Sequence, residues 1–373
     1  MSNKKRIIVS VTNDLYTDQR VHKVCTFLEQ NNFEVLLVGR KLRNSVDLPP
    51  RPYTTKRFKL WFEKGALFYA NYNLRLFFFL LFKKADVLLS NDLDTLLANY
   101  CAKKLKRNTE LVYDSHELFT EVPELTERPK VRRVWLAIEE WIFPKLKKVY
   151  TVNKSIADIY QDKYNIPVLV VRNVSPKWEA KAIPTKKQLD LPEDSHIIIL
   201  QGAGINIDRG AEEAVAAMRY IENTLFLIVG SGDVIPQLKD YVERENLTEK
   251  VRFVGRKPYQ EMMYYTYHAD LGLTLDKDTN ANYRYSLPNK VFDYIHTQTP
   301  IVASSLVEIK RVISKHNVGK IIPSHDPEDI ALTINTLLSD PEELKKLKFN
   351  CKKAAKKECW EHETTVLKTV FDL

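Results

Sequence analysis

The chain has 373 residues, of which 44% are hydrophobic and 28% charged, with 10 glycines and 17 prolines. This excludes wholesale disorder and collagenous or low-complexity sequence, and the length suits two to three domains. A net charge of +9 suggests an anionic partner (a phosphate-bearing ligand, nucleic acid or an anionic membrane face), with plain solubility as the simpler account.

Met1-Ser2-Asn3-Lys4-Lys5-Arg6 leads directly into a strand-like run at 7–11, without a signal-peptide pattern, so a cytoplasmic protein is expected. Cys25, Cys101, Cys351 and Cys359 form no C-x-x-C pair, which suits a reducing compartment and argues against structural zinc. A helix at 21–30 and a strand at 34–39 follow. Residues 66–82 are rich in Leu, Phe and Tyr but carry Asn71, Asn73 and Arg75, and fall short of the ~20 apolar residues of a membrane span. A half-buried helix is expected there, or one resting on a membrane between Lys64, Lys83 and Lys84, as peripheral contact at the inner face of the cell membrane. Strands at 87–90, 111–113, 148–152 and 168–172 alternate with helices ending near 106 and at 131–144.

The Pro- and Lys-rich stretch 173–195 reads as a linker. Strands then resume at 196–201, 224–229, 251–255, 270–275, 300–303 and 320–322, with a helix at 209–219 and a last helical region from 341 to about 367. The class is α/β: two Rossmann-like domains facing each other across a cleft, with ligands expected beyond the carboxyl ends of the strands. The expected domains are 1–175 and 176–355, with 356–373 as a C-terminal helix returning to the first.

Three stretches carry polar groups in such positions. Asp114-Ser115-His116-Glu117 follows a strand, and is either a ligand-facing turn or a helix N-cap; Asp92 and Asp94 stand in the same kind of place, Asp92 reading more simply as a cap. Gly202-Ala203-Gly204 leads to Arg209 near a helix start, where backbone N–H groups favour anions, although the spacing fits neither a Walker A loop nor a dinucleotide fingerprint. Gly230-Ser231-Gly232 is a second short glycine turn. After the polar loop 276–282, Leu287-Pro288 fits a helix start, with Lys290 and Asp293 one turn apart on one face.

Together these stretches resemble the retaining glycosyltransferases of family 4, which have the GT-B fold. The resemblance rests on Tyr113-Asp114-Ser115-His116-Glu117, Leu200-Gln201-Gly202 with Asp208-Arg209-Gly210, Val251-Arg252-Phe253-Val254-Gly255 and Leu287-Pro288-Asn289-Lys290-Val291-Phe292-Asp293-Tyr294-Ile295, in the family's order. It implies a UDP- or GDP-linked nucleotide-sugar donor held by the C-terminal half, a glycan or lipid-linked acceptor on the N-terminal half, and no cofactor or metal. Arg209 matches the residue that holds the donor diphosphate, Lys290 one beside the same phosphates, Asp293 the one that binds ribose hydroxyls, and His116 the one beside the transferred sugar. Gly202, Gly204, Gly230, Gly255, Pro288 and Asn289 complete the expected donor side; Asp18, Arg20, Asp92 and Glu117 form the expected acceptor side.

The sequence departs from the family at Gly204, where an arginine is usual, at Tyr285, where the first Glu of the Glu-x7-Glu motif is usual, and at Asp293, one methylene shorter than the second Glu. Residues 13–20 replace a Gly-rich turn, with Arg20 as a substitute charge. A nucleotide-sugar-binding protein without transfer activity and a sugar-nucleotide epimerase of the same architecture stay open. Nucleic acid is not expected: the basic clusters at 103–107 and 352–357 lack stacking aromatics at regular spacing.

Overall fold

The computed structural model describes residues 4–16, 18–179 and 182–373. Met1, Ser2 and Asn3 of the N-terminus, Thr17 of the 13–20 stretch, and Ala180 and Lys181 of the linker lie outside the described residues. The chain divides into two compact units, Met1–Arg172 with Thr364–Leu373, and Asn173–Glu363.

The first unit contains β1 (Lys5–Ser10), α1 (Gln19–Gln30), β2 (Phe33–Lys41), β3 (Thr54–Lys59), α2 (Gly65–Phe82), β4 (Val87–Asn91), α3 (Leu93–Leu105), β5 (Glu110–Ser115), α4 (Pro123–Thr126), α5 (Pro129–Ile142), β6 (Lys148–Thr151), α6 (Lys154–Tyr164) and β7 (Leu169–Val170). Among the described residues its parallel sheet runs β3-β2-β1-β4-β5-β6-β7. The sequence did not reveal β3 or α6. The first is Thr- and Lys-rich because it is an edge strand with little buried surface, and the second is a short helix capped by the Asn153 side chain.

The second unit contains β8 (His196–Gly202), α7 (Ala211–Ala217), β9 (Thr224–Gly230), α8 (Ile235–Arg244), β10 (Val251–Phe253), α9 (Tyr259–His268), β11 (Leu271–Thr274), α10 (Ala281–Arg284), α11 (Lys290–His296), β12 (Ile301–Ala303), α12 (Val307–His316), β13 (Gly319–Ile321), α13 (Pro327–Leu338), α14 (Pro341–Ala354) and the start of α15 (Trp360–Phe371). Its sheet, also parallel, runs β10-β9-β8-β11-β12-β13. Strand side chains alternate between two apolar layers: Ile198, Leu200, Phe226 and Ile228 enter one, Ile197, Ile199, Leu225 and Leu227 the other. The helical region expected from 341 to about 367 is two helices, since the chain turns between Ala354 and Trp360. The end of α15 belongs to the first unit, where Phe371 packs edge-on against Phe33 at 6.0 Å and Asp372 meets Lys148 at 2.6 Å.

Strand order reverses between β1 and β4 in one sheet and between β8 and β11 in the other, and at such switch points the loops part to leave room for a ligand. The β8 and β9 ends approach so closely there that a Cβ on Gly230, whose φ is +153°, would lie 1.8 Å from the Gly202 carbonyl oxygen. Gly230→Ala must therefore shift backbone. We expect a loss of about 2 kcal/mol or more in urea unfolding of the second unit; an unchanged midpoint would contradict this packing.

Candidate functional site

In the first unit the polar groups gather at the carboxyl ends of β4 and β5. Asp114, fully buried at the end of β5, accepts from Arg20 Nε at 3.0 Å and Arg20 Nη2 at 2.7 Å. Arg20 is itself buried, and its Nη1 donates to the Val171 carbonyl at 2.8 Å. The guanidinium is thus committed inside the protein, so the substitute charge suggested by sequence is already paired with Asp114. His116, the next residue but one after Asp114, lies between carboxylates: Nε2 is 3.2 Å from Asp114 Oδ2 and Nδ1 is 3.1 Å from Asp92 Oδ2.

Asp92 stands at the N-cap position of α3 without making a capping bond. Its φ of +57° turns the carboxylate toward His116, whose backbone N–H donates to Asp92 Oδ1 at 2.8 Å. The cap expected from sequence is therefore a histidine partner. Asp114 and Ser115 are not caps either, since they end a strand. Burial alone would lower the His116 pKa, but Asp92 and Asp114 outweigh it and raise it to about 9. Burial pushes Asp92 up to about 7 against the pull of His116, and Asp94, which accepts from Thr12 at 2.5 Å, up to about 6. Glu117 adds to the local negative charge felt by both aspartates. Asp18 caps α1, accepting from Val21 N at 3.0 Å.

In the second unit Arg209 and Lys290 come together. The chain places Arg209 before Gly210, so that α7 starts at Ala211 and the arginine lies in the loop after β8. Its Nη1 donates to Asp276 Oδ1 at 2.7 Å, and its guanidinium lies over the Tyr283 ring at 4.1 Å. Lys290, first residue of α11, brings Nζ to 3.8 Å from Asp276 Oδ2. Asp276 is fully buried two residues past β11. Burial would raise its carboxyl, but Lys290 and Arg209 hold it below the ordinary carboxylate range.

Asp293 faces other partners than Lys290. Ser175 Oγ at 2.7 Å and Tyr259 Oη at 2.9 Å donate to its Oδ1, and Gln201 Nε2 at 2.9 Å to its Oδ2. Gly202 and Gly230 meet through Ser231 N donating to Gly202 O at 3.1 Å. Gly204 is not sterically required, since a Cβ there finds only Asn206 Nδ2 at 4.0 Å; Gly255, with φ +77°, opens onto space after β10. Asn289 is exposed beside Pro288 at the start of α11. No group of three or more metal-binding side chains occurs among the described residues. Sequence reasoning missed the part of Asp276 and the donors Ser175, Gln201 and Tyr259. Position after a strand was the available signal for Asp276; the others depend on pairing across the fold.

Comparison with known proteins matches each half to a glycosyltransferase family model. Residues 18–174 match Glycosyltransferase Family 4 and residues 183–358 match Glycosyl transferases group 1. The amylovoran biosynthesis glycosyltransferase AmsK of Erwinia amylovora is 28% identical over 155 residues, 40% of this chain and 38% of that protein, so the match spans well under half of the relative's length. Among solved structures, a sucrose-phosphate synthase from Thermosynechococcus elongatus has a TM-score of 0.78 at 17% identity, covering 99% of this chain and 98% of that one. Anabaena HepE, solved with UDP and glucose, has a TM-score of 0.74 at 12% identity, covering 99% and 100%. At such identities the likeness is one of fold. With two Rossmann-like units and both halves matched, the chain belongs to the group 1, family 4 glycosyltransferases of GT-B fold.

Proposed function

We propose that the protein transfers a sugar, with retention of configuration and without a metal, from a nucleotide-sugar donor to a glycan or lipid-linked acceptor. The observation that carries this reading is the convergence of Arg209 and Lys290, from separate segments, at the switch point of the second sheet. Departure of a nucleoside diphosphate builds negative charge on its outer phosphate, which two fixed cations stabilise. A phosphate oxygen then accepts the acceptor's proton as the sugar is attacked from the same face. UDP is the nucleotide to test first, because HepE was solved with it. On the sugar side, the Asp92–His116 pair acts as one unit, a doubly protonated imidazole held by two carboxylates. Binding without transfer is a second reading, favoured by Tyr285 in place of a carboxylate and by Gly204.

We also propose contact with an anionic membrane surface through α2. By length and composition α2 is the one helix among the described residues apolar enough to cross a membrane, closer to that limit than the sequence suggested. Yet Phe68, Tyr72, Leu76 and Leu80, spaced four apart, are buried, and Tyr72 Oη donates to Val11 O, so one face belongs to the unit. The other presents Leu74, Phe78 and Phe82, with Trp61 just before the helix. A groove of about 710 Å³ at its end is lined by Phe79 and Phe82 and by Arg6, Lys56, Lys83 and Lys84 with Glu34 as the one acid, a net positive pattern complementary to anionic headgroups.

Three measurements follow. UDP should raise the melting temperature, and Arg209→Ala or Lys290→Ala should each weaken its binding by about 2 kcal/mol, roughly thirtyfold; unchanged affinity in both would remove the diphosphate assignment. Asp92→Asn should lower the His116 midpoint from about 9 toward the ordinary histidine value in an NMR titration. The stability this histidine contributes is fully present below about pH 6.5 and is lost as pH rises through about 9, so urea unfolding should show that loss in the wild type. Vesicles containing phosphatidylglycerol should sediment the protein where phosphatidylcholine alone does not, and F78S/F82S or K83E/K84E should cut that binding by about tenfold; equal sedimentation of all variants would rule out α2 as the contact.

A further inference from the structure

We propose that Asp276 is a positioning residue of the diphosphate subsite: one carboxylate aims the Arg209 guanidinium and keeps the Lys290 ammonium charged. The inference rests on the transferase reading for what the cations receive, but its electrostatic content is independent of it. An acidic group amid cations expected to bind an anion needs a reason, since its charge opposes the ligand's. The geometry supplies one. Arg209 takes Oδ1 at 2.7 Å, while Lys290, at 3.8 Å, and Thr274 Oγ1, at 3.2 Å, face Oδ2. Each cation has its own oxygen, so the carboxylate sets their spacing. Arg209 is not exhausted by this contact: its Nε is buried without a hydrogen-bond partner, and one face rests on Tyr283.

Asp276 also faces a titration problem. Arginine stays protonated throughout the accessible pH range, whereas a half-buried lysine beside a guanidinium can shed its proton. The charged groups facing Lys290 are Asp276, from beyond β11, and Arg209, from the loop after β8. Asp293, one turn along α11, is turned to Ser175, Gln201 and Tyr259, and Tyr283 lies against Arg209. Burial lowers the Lys290 pKa, Asp276 raises it and Arg209 lowers it. Without Asp276 both remaining influences favour the neutral amine. The loop carrying the aspartate is fastened to that carrying the arginine by Lys277 N donating to Asp208 O at 2.9 Å, which keeps the arrangement in register.

The test uses the full-length protein and two readouts. Acetic anhydride labelling of Lys290, followed by mass spectrometry against pH without ligand, reports its protonation. UDP affinity from pH 6.5 to 9 reports the consequence. Asp276→Asn should lower the labelling midpoint, and its UDP affinity relative to wild type should fall by at least about tenfold across that range, as expected when a binding cation loses its proton. Adding Lys290→Arg should abolish this pH dependence. Arg209→Gln should move the Lys290 midpoint upward, and decides the matter should D276N fail to fold. A D276N midpoint equal to wild type, a uniform loss of affinity at every pH, or an R209Q midpoint that stays or falls would overturn the proposal. If the midpoints move as stated but no form binds UDP, the transferase reading fails and the role of Asp276 toward Lys290 stands.

Discussion

Charge taken out of water must be compensated, and both candidate subsites are organised by that requirement. In the first unit Asp114, fully buried past the core of β5, lies between Arg20 and His116; in the second Asp276, fully buried past β11, lies between Arg209 and Lys290. The motif is the same: one inaccessible carboxylate, one permanent cation and one cation able to titrate. Breaking either by removing one partner leaves a buried charge without its complement, which commonly costs several kcal/mol. The two differ in how they use the outer group. His116 has a second carboxylate, Asp92, on its far side, so its charge is closed in; among the described residues Lys290 is paired with Asp276 alone, which leaves its other side open.

Topology brings these groups to the same kind of place. Parallel strands point their carboxyl ends one way, and where their order reverses the connecting loops diverge. Arg209 follows β8 and Asp276 follows β11, the two strands flanking the switch in the second sheet. In the first, Thr12 beyond β1 binds Asp94 at the start of α3, beside the end of β4. The positive φ of Asp92 belongs to this arrangement, because an ordinary cap geometry would direct its carboxylate to the helix and away from His116.

Much of this was legible in the sequence. The strands of both cores announced themselves as short β-branched runs; Arg209 and His116 stood out by position after such runs, and Lys290 by its place at a helix start. The edge strand β3 was not legible, because half-exposed Thr and Lys residues carry no apolar signal, and α6 offers only Ile156, Ala157 and Tyr160 as buried apolar positions in a mostly polar run. Local reasoning also failed wherever a side chain had a local and a distant option. Asp92 could cap its own helix or bind His116, 24 residues away, and it does the latter. Arg20 could face solvent or reach Asp114, 94 residues away. Only the folded register settles such choices.

Asp293 shows how a single missing methylene redistributes work within the proposed donor site. A glutamate at this position would extend its carboxylate beyond the helix; the aspartate keeps it near α11, where Ser175, Tyr259 and Gln201 donate to it from three segments. Those donors tie the start of the linker, α9 and β8 to α11, which gives the residue a structural part whatever else it does. On the proposed donor reading, the diphosphate would be met by Arg209 and Lys290, with Asp276 between them setting their spacing.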